Sequence, residues 1–195
     1  PSLTQFTAEI DSVEYTFYNT SPITIGATGD APYVSSEFSI YEGSWNNVSY
    51  VASSSASTKY LIPSENVDTD HLFVRVLEST TDTTGANTIW SKSNDITGVT
   101  SGSTVYFLEE TPQGLYEIKF GDNIVGKKVE DGNVVLIEYL STSGAASNGV
   151  GRNDSSSNRT FTTTLSNCTV IVSSSANGGS ARESIESIRE NAPLF

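Results

Sequence analysis

The chain has 195 residues, with 10 Lys and Arg against 23 Asp and Glu and a formal charge of -13. That length accommodates one sizeable β domain or two small ones, and the acidic balance repels a phosphate backbone, which argues against nucleic acid as a partner. It also argues against a polybasic membrane-surface role, and no run approaches the roughly 18 apolar residues of a membrane-crossing helix.

The sequence begins at Pro1 and contains no methionine, from which we expect an internal piece or a processed product of a longer protein. Ser and Thr together number 54 and Asn 14, while nine Tyr, eight Phe and two Trp are spread through alternating segments. Aromatic residues at that density indicate packed sheets and not a disordered polar chain. The same bias accounts for five Asn-x-Ser/Thr triplets, at Asn19, Asn47, Asn153, Asn158 and Asn167, about what chance supplies at this Ser and Thr content.

In chain order, Val13, Tyr15 and Phe17 alternate with Glu14 and Thr16, the period of two that predicts a strand with one face on a core. Phe38 and Ile40 alternate with Glu37 and Ser39, and Glu42-Gly43 turns the chain toward a run from Trp45 to Val51, which predicts a hairpin. A polar break follows from Ser53 to Thr58. Strands are predicted over Tyr60–Ile62, ending at Pro63, and over His71–Leu77 through Leu72, Val74 and Val76. Ile89-Trp90 is a brief apolar element between turn-rich stretches.

Val105–Leu108 opens the most strongly patterned region, where Tyr116, Ile118 and Phe120 alternate against Glu117 and Lys119 before a turn at Gly121-Asp122-Asn123. Asp131-Gly132 tolerates the positive φ of a tight turn and leads into a strand over Val134–Leu140, giving an antiparallel meander. The Ser-, Gly- and Asn-rich stretch 141–158 reads as a long exposed loop. Phe161–Leu165 and Cys168–Val172 then read as two more strands, the second burying the single cysteine as an inert thiol. Ser180 and Glu183 form a capping box for a C-terminal helix of about ten residues stopped at Pro193. A helix that short must dock on another surface.

The expected fold is therefore mainly β, with antiparallel sheets arranged as a sandwich or a barrel and a short C-terminal helix. The expected division is an N-terminal β subdomain over 1–100, a β meander subdomain over 101–179 carrying the loop 141–158, and the start of a helical segment over 180–195.

Little in the chain points to catalysis. One His and one Cys do not make up a His/Cys zinc site, which takes three or four ligands. His71 beside Asp70 lacks a Gly-x-Ser-x-Gly nucleophile elbow. Asp68 with Asp70, and Gly121-Asp122-Asn123, are oxygen-rich but lack the spacing of a calcium loop, and read as turns. Gly121 and Gly126 lie in a meander with no following helix and form no phosphate cradle. No catalytic residue, metal ligand or cofactor is expected.

Two blocks carry a resemblance. The first runs Gly114-Leu115-Tyr116-Glu117-Ile118-Lys119-Phe120-Gly121-Asp122-Asn123-Ile124-Val125-Gly126-Lys127 and continues through Glu130-Asp131-Gly132-Asn133 to Glu138-Tyr139. The second is Arg182-Glu183-Ser184-Ile185-Glu186-Ser187-Ile188-Arg189, followed by Asn191-Ala192-Pro193. In order and spacing they resemble the baseplate wedge subunits of contractile-tailed bacteriophages, within the baseplate J-like family. The Ile62-Pro63 to Val76 stretch extends the resemblance to roughly Leu61–Phe195.

The resemblance implies a scaffold protein and not an enzyme. Such a protein self-associates into a ring, binds other baseplate wedge proteins and rearranges to trigger sheath contraction. It would be assembled in the bacterial host cytoplasm and reside in the tail baseplate of the virion. The helix face of Ile185 and Ile188, flanked by Arg182, Glu186 and Arg189, is the candidate subunit or domain contact, set against packing on the chain's own sheet. The alternative is a carbohydrate- or receptor-binding β-sandwich of a phage fibre or adhesin, which would use exposed aromatics such as Trp45 and Trp90 for stacking.

Overall fold

A computed structural model describes residues 3–26, 33–55, 58–82, 89–152 and 160–191. Strands hold 39% of the described residues and helices 6%, so the fold is mainly β with one short C-terminal helix, as expected. Thirteen strands are described: β1 (Gln5–Ile10), β2 (Val13–Tyr18), β3 (Ile25–Gly26), β4 (Val34–Ser35), β5 (Tyr41–Glu42), β6 (Ser44–Val51), β7 (Tyr60–Ile62), β8 (Val67–Leu77), β9 (Ile89–Lys92), β10 (Val105–Glu110), β11 (Tyr116–Phe120), β12 (Val134–Ser141) and β13 (Thr162–Thr163). The helix is α1 (Ile185–Asn191).

The chain forms two compact units, Pro1–Ser44 with Thr142–Phe195, and Trp45–Ser141. This differs from the expected division at residues 100 and 179. The expected boundary after residue 100 falls inside the second unit, where β9 and β10 pair directly, Val105 opposite Ser91 and Tyr106 opposite Lys92. That pairing is parallel, so the sheet is mixed, and the meander expected over 105–140 stops after β10 and β11, because β11 pairs next with β7 while β12 pairs with β8. Turn residues mark where a strand ends, but they do not say which distant strand lies beside it.

In the second unit the strand order is β6-β12-β8-β9-β10-β11-β7. The two outer strands approach one another: the Tyr50 hydroxyl on β6 donates to the Leu61 carbonyl on β7 at 2.5 Å, and the Tyr50 and Tyr60 rings meet edge to face at 5.9 Å. The sheet is thereby curled into a nearly closed barrel, which shields the exposed strand edges that invite association. Alternation supplies its core. Leu72 and Val74 of β8, Tyr106 of β10, Ile118 of β11, and Val135, Ile137 and Tyr139 of β12 pack with Ile62 and Trp90. Trp90 meets Phe120 edge to face at 5.2 Å, and Phe120 meets Tyr60 in the same way.

The first unit holds the sheet β13-β1-β2-β5 and the short pair β3-β4. Its core gathers Phe6, Ala8, Ile10 and Phe17 with Val150 and Phe161. β1 was not read from the sequence, although Phe6, Ala8 and Ile10 alternate. The turn that follows uses Asp11 and Ser12, at φ 50° and 63°, the two left-handed residues of a tight hairpin without the glycine that usually signals it.

Four local expectations are corrected. Phe38 and Ile40 lie outside any strand, and β5 pairs with β2 and not with β6, so the predicted hairpin is absent. Of Phe161–Leu165 only Thr162 and Thr163 enter a ladder, opposite Thr7 and Phe6. Residues 168–172 form no strand, and Cys168 is exposed. Val170 and Val172 still pack on the core while Ile171 is 88% exposed, so the alternation marks burial without a hydrogen-bonded neighbour. In the stretch expected as one long loop, residues 144–147 form a 3-10 turn, Val150 is fully buried and residues 153–159 lie outside those described.

Candidate functional site

The helix proposed as a contact begins at Ile185, later than the capping box suggests. Ser184 caps it: its hydroxyl oxygen accepts the Ser187 N–H at 3.1 Å, while the Glu183 carboxylate accepts the Ser187 hydroxyl at 2.7 Å. Ser180 is therefore not the cap, and the described part of the helix has seven residues, Ile185–Asn191. Pro193 lies outside the described residues. Glu183, Ser187 and Asn191 form a polar row, the Asn191 amide donating to the Ser187 hydroxyl at 3.3 Å. Ile188 is 51% exposed, and Arg182, Glu186 and Arg189 are exposed with it. An apolar side chain left half in water on a helix too short to be stable alone is available to a contact.

The first sequence block supplies two strands that are not neighbours in the barrel, β11 and β12, joined by a tight loop and the Asp131-Gly132 turn. The loop is locked by its own side chains. One Asp122 carboxylate oxygen accepts the N–H groups of Ile124 and Val125 at 2.9 and 3.0 Å, which hold its carboxyl below the usual carboxylate range. The Asn123 amide oxygen accepts the Lys128 N–H at 2.8 Å, and the Asn123 N–H donates to the Gly126 carbonyl at 3.0 Å. A Cβ at Gly121 would lie 2.2 Å from that carbonyl oxygen, so only glycine fits. Gly126, at φ 82°, takes the left-handed conformation glycine permits.

Asp68, Asp70 and His71 lie at a β-bulge. The register against β12 shifts between Tyr139, opposite Leu72, and Leu140, opposite Asp68, which sets Thr69, Asp70 and His71 out of the ladder. Asp68 holds the bulge together, accepting the Asp70 N–H at 2.9 Å and meeting His71 Nδ1 at 2.7 Å. Burial pushes the Asp68 carboxyl up, but these hydrogen bonds and the His71 charge outweigh it and leave it below its ordinary value. Lys92 donates to the Thr69 carbonyl at 2.9 Å and to Asp70 at 3.3 Å. These polar groups fasten a kinked strand to β9. Among the described residues, no group of three or more His, Cys, Asp or Glu is placed to hold a metal ion.

The aromatic residues singled out for sugar stacking sit differently from that expectation. Trp90 is buried in the barrel, 4% exposed, and Trp45 packs against Phe73 with ring centroids 5.7 Å apart. Two shallow hollows lie in the first unit. One, of about 240 Å³, is lined by Asn19, Pro22, Ile23, Phe38 and Tyr41 among others; the second, of about 330 Å³, lies between Val13–Thr16 and Glu42–Ser44. Both sit at or below the small end of the range usual for small-molecule sites.

Sequence reasoning missed two polar anchors that hold the first unit. The Glu42 carboxylate accepts both the N–H and the hydroxyl of Ser143, at 3.0 and 2.8 Å. The Asn148 side chain accepts the Gly179 N–H at 3.0 Å and donates to the Gly179 carbonyl at 2.7 Å. Each joins positions far apart in the chain, and no local pattern announces such a pair. The chain matches no protein-family model and no curated protein sequence.

Proposed function

We propose that this chain is a structural part of a contractile-phage baseplate wedge subunit, which carries load and contacts instead of performing chemistry. The observation that supports this reading is that the block resembling that family, Gly114–Tyr139, supplies two separate strands of the barrel, β11 between β10 and β7 and β12 between β6 and β8. The connection between them opens with a loop locked by Asp122 and Asn123 and closed to any side chain at Gly121. A packed barrel wall resists continuous deformation and passes displacement on as a unit. The half-exposed Ile188 face of α1 is then the contact surface, and its partners are other copies of the chain and other wedge proteins in the virion baseplate.

The test is the absolute mass of the 195-residue chain by light scattering over a wide concentration range, alone and as Ile188→Asp. The proposal expects a concentration-dependent increase in mass that Ile188→Asp abolishes, with the circular dichroism spectrum unchanged. Self-association of equal strength in the variant would refute the role given to this helix face, and a monomer at every concentration would refute self-association through these residues.

A further inference from the structure

Three dipeptides in this chain carry the local chemistry for succinimide formation: Asn148-Gly149, Asn177-Gly178 and Asp131-Gly132. In this reaction the backbone nitrogen after the Asn or Asp attacks the side-chain carbonyl carbon. A following glycine leaves that nitrogen unhindered. For asparagine, the new N–Cγ bond forms as the Cγ–Nδ2 bond breaks and ammonia leaves. Water then opens the ring at either carbonyl, giving aspartate or isoaspartate, with no oxidant or reductant involved.

The fold treats the three sites differently. At Asn148 the side-chain amide is held from both ends by the Gly179 backbone, at 3.0 and 2.7 Å. The attacking nitrogen, that of Gly149, already donates to the Ala176 carbonyl at 2.8 Å. The space beside Gly149 is also filled, with Arg152 and Ile10 within 3.5 Å of where a Cβ would stand. At Asp131 the carboxylate accepts the Ser54 N–H and hydroxyl at 2.6 and 2.7 Å, and the Gly132 N–H donates to the Ala52 carbonyl at 3.0 Å.

Asn177 is the contrast. Residues 177 and 178 are exposed. The Asn177 side chain makes one hydrogen bond, its amide donating to the Ser175 carbonyl at 3.0 Å, and among the described residues the Gly178 N–H has no acceptor. Nothing lies within 4 Å of where a Cβ would stand on Gly178, so the attacking nitrogen is not crowded from that side.

We propose that Asn177 is a deamidation site left open by the fold, while Asn148 and Asp131 are held closed. The modification adds a negative charge to an already acidic chain. In the isoaspartyl product it also lengthens the backbone by a methylene between two anchors, Ala176, which donates to the Val150 carbonyl at 2.8 Å, and Gly179 on Asn148. The segment leading to α1 is thereby loosened from the 144–150 turn. This inference stands apart from the baseplate reading.

The experiment incubates the full chain at mildly alkaline pH, digests samples over time and quantifies by mass spectrometry the gain from replacing an amide by a carboxyl at each site. Isoaspartate is scored by enzymatic methyl transfer. Three hydrogen bonds must open at Asn148 before its ring closes. One bond must open at Asn177, so the difference is two bonds, and at the usual net worth of a hydrogen bond this slows Asn148 about thirtyfold relative to Asn177. In urea the two asparagines should react at similar rates. Equal rates in the folded chain would overturn the proposal, as would a difference that persists undiminished in urea, because the sequence and not the fold would then set it. Amide exchange at Gly149 should speed up in the isoaspartyl form; unchanged exchange would overturn the loosening.

Discussion

Replacing Gly121 by alanine tests the tightest point of the barrel wall. The added Cβ would stand 2.2 Å from the Gly126 carbonyl oxygen and 2.3 Å from that of Val125, against a closest tolerated approach of 3.0 Å. Both obstacles are backbone, so neither can rotate away. To make room, the Gly126 peptide must retreat from three hydrogen bonds: Asn123 N–H to Gly126, Gly126 N–H to Thr100 at 3.1 Å, and Lys127 N–H to Ser103 at 2.9 Å. At about 1 kcal/mol net for each bond, the loss is about 3 kcal/mol, within the range for overpacking at rigid sites. The matched control is Gly132→Ala, where nothing lies within 4 Å and only the left-handed φ of 86° is strained, a cost of about 1–2 kcal/mol. Both tryptophans, Trp45 and Trp90, lie in the barrel unit, so their fluorescence in urea reports its unfolding directly. The expected order of midpoints is wild type, then Gly132→Ala, then Gly121→Ala, the last lower than wild type by about 2 M at the urea slope of a small domain. A Gly121→Ala midpoint at or above that of Gly132→Ala would refute the steric account of the loop.

Two further predictions concern pH. Burial pushes the Tyr106 hydroxyl up to about 12. A group whose folded value is raised contributes stability that is whole below its unfolded value near 10 and is lost as pH climbs toward 12, by up to about 1.4 kcal/mol per pH unit. Tyr106→Phe should flatten this alkaline loss while changing neutral stability by less than about 1 kcal/mol, since its hydrogen bond to the Leu72 carbonyl is long at 3.5 Å; urea titrations at neutral and alkaline pH check both. Asp68 is the opposite case. Its folded value is depressed from 3.8, so its contribution is present above that value and is lost as pH falls through the folded one. Asp68→Asn should cost about 1 kcal/mol at neutral pH, allowing for the part-exposed carboxylate, and the gap to wild type should close in acid. A gap independent of pH would show that the bulge does not depend on the Asp68 charge.

Much of the barrel was legible because its strands carry their own burial pattern. Leu72, Val74 and Val76, then Tyr116, Ile118 and Phe120, alternate cleanly with polar neighbours, and each set faces inward or packs against the core. The first unit was less legible. Alternation at Phe38 and Ile40 and at residues 168–172 correctly marks side chains that pack on or beside a core, Phe38 against Phe6 and Val170 and Val172 in the cluster. A strand, however, also needs a partner backbone alongside, and that partner is not written locally. The candidate helix face was read from Ile185 and Ile188, but its start was misplaced, because Ser180 and Ser184 both offer a capping hydroxyl and only the conformation selects between them.

The sequence by itself determined the class of the protein and the residues that turn its chain. Period-two alternation and dipeptides such as Asp131-Gly132 act within a few residues, where backbone sterics and side-chain burial are decided locally. Only the tertiary structure decided that the chain enters the barrel at Trp45 and leaves it at Ser141, that β9 and β10 run parallel, and that Asn148 is shielded while Asn177 is open. Those outcomes depend on which segments, tens of residues apart, exchange hydrogen bonds across space. That pairing is set by the packing of the whole core and not by any single stretch of it.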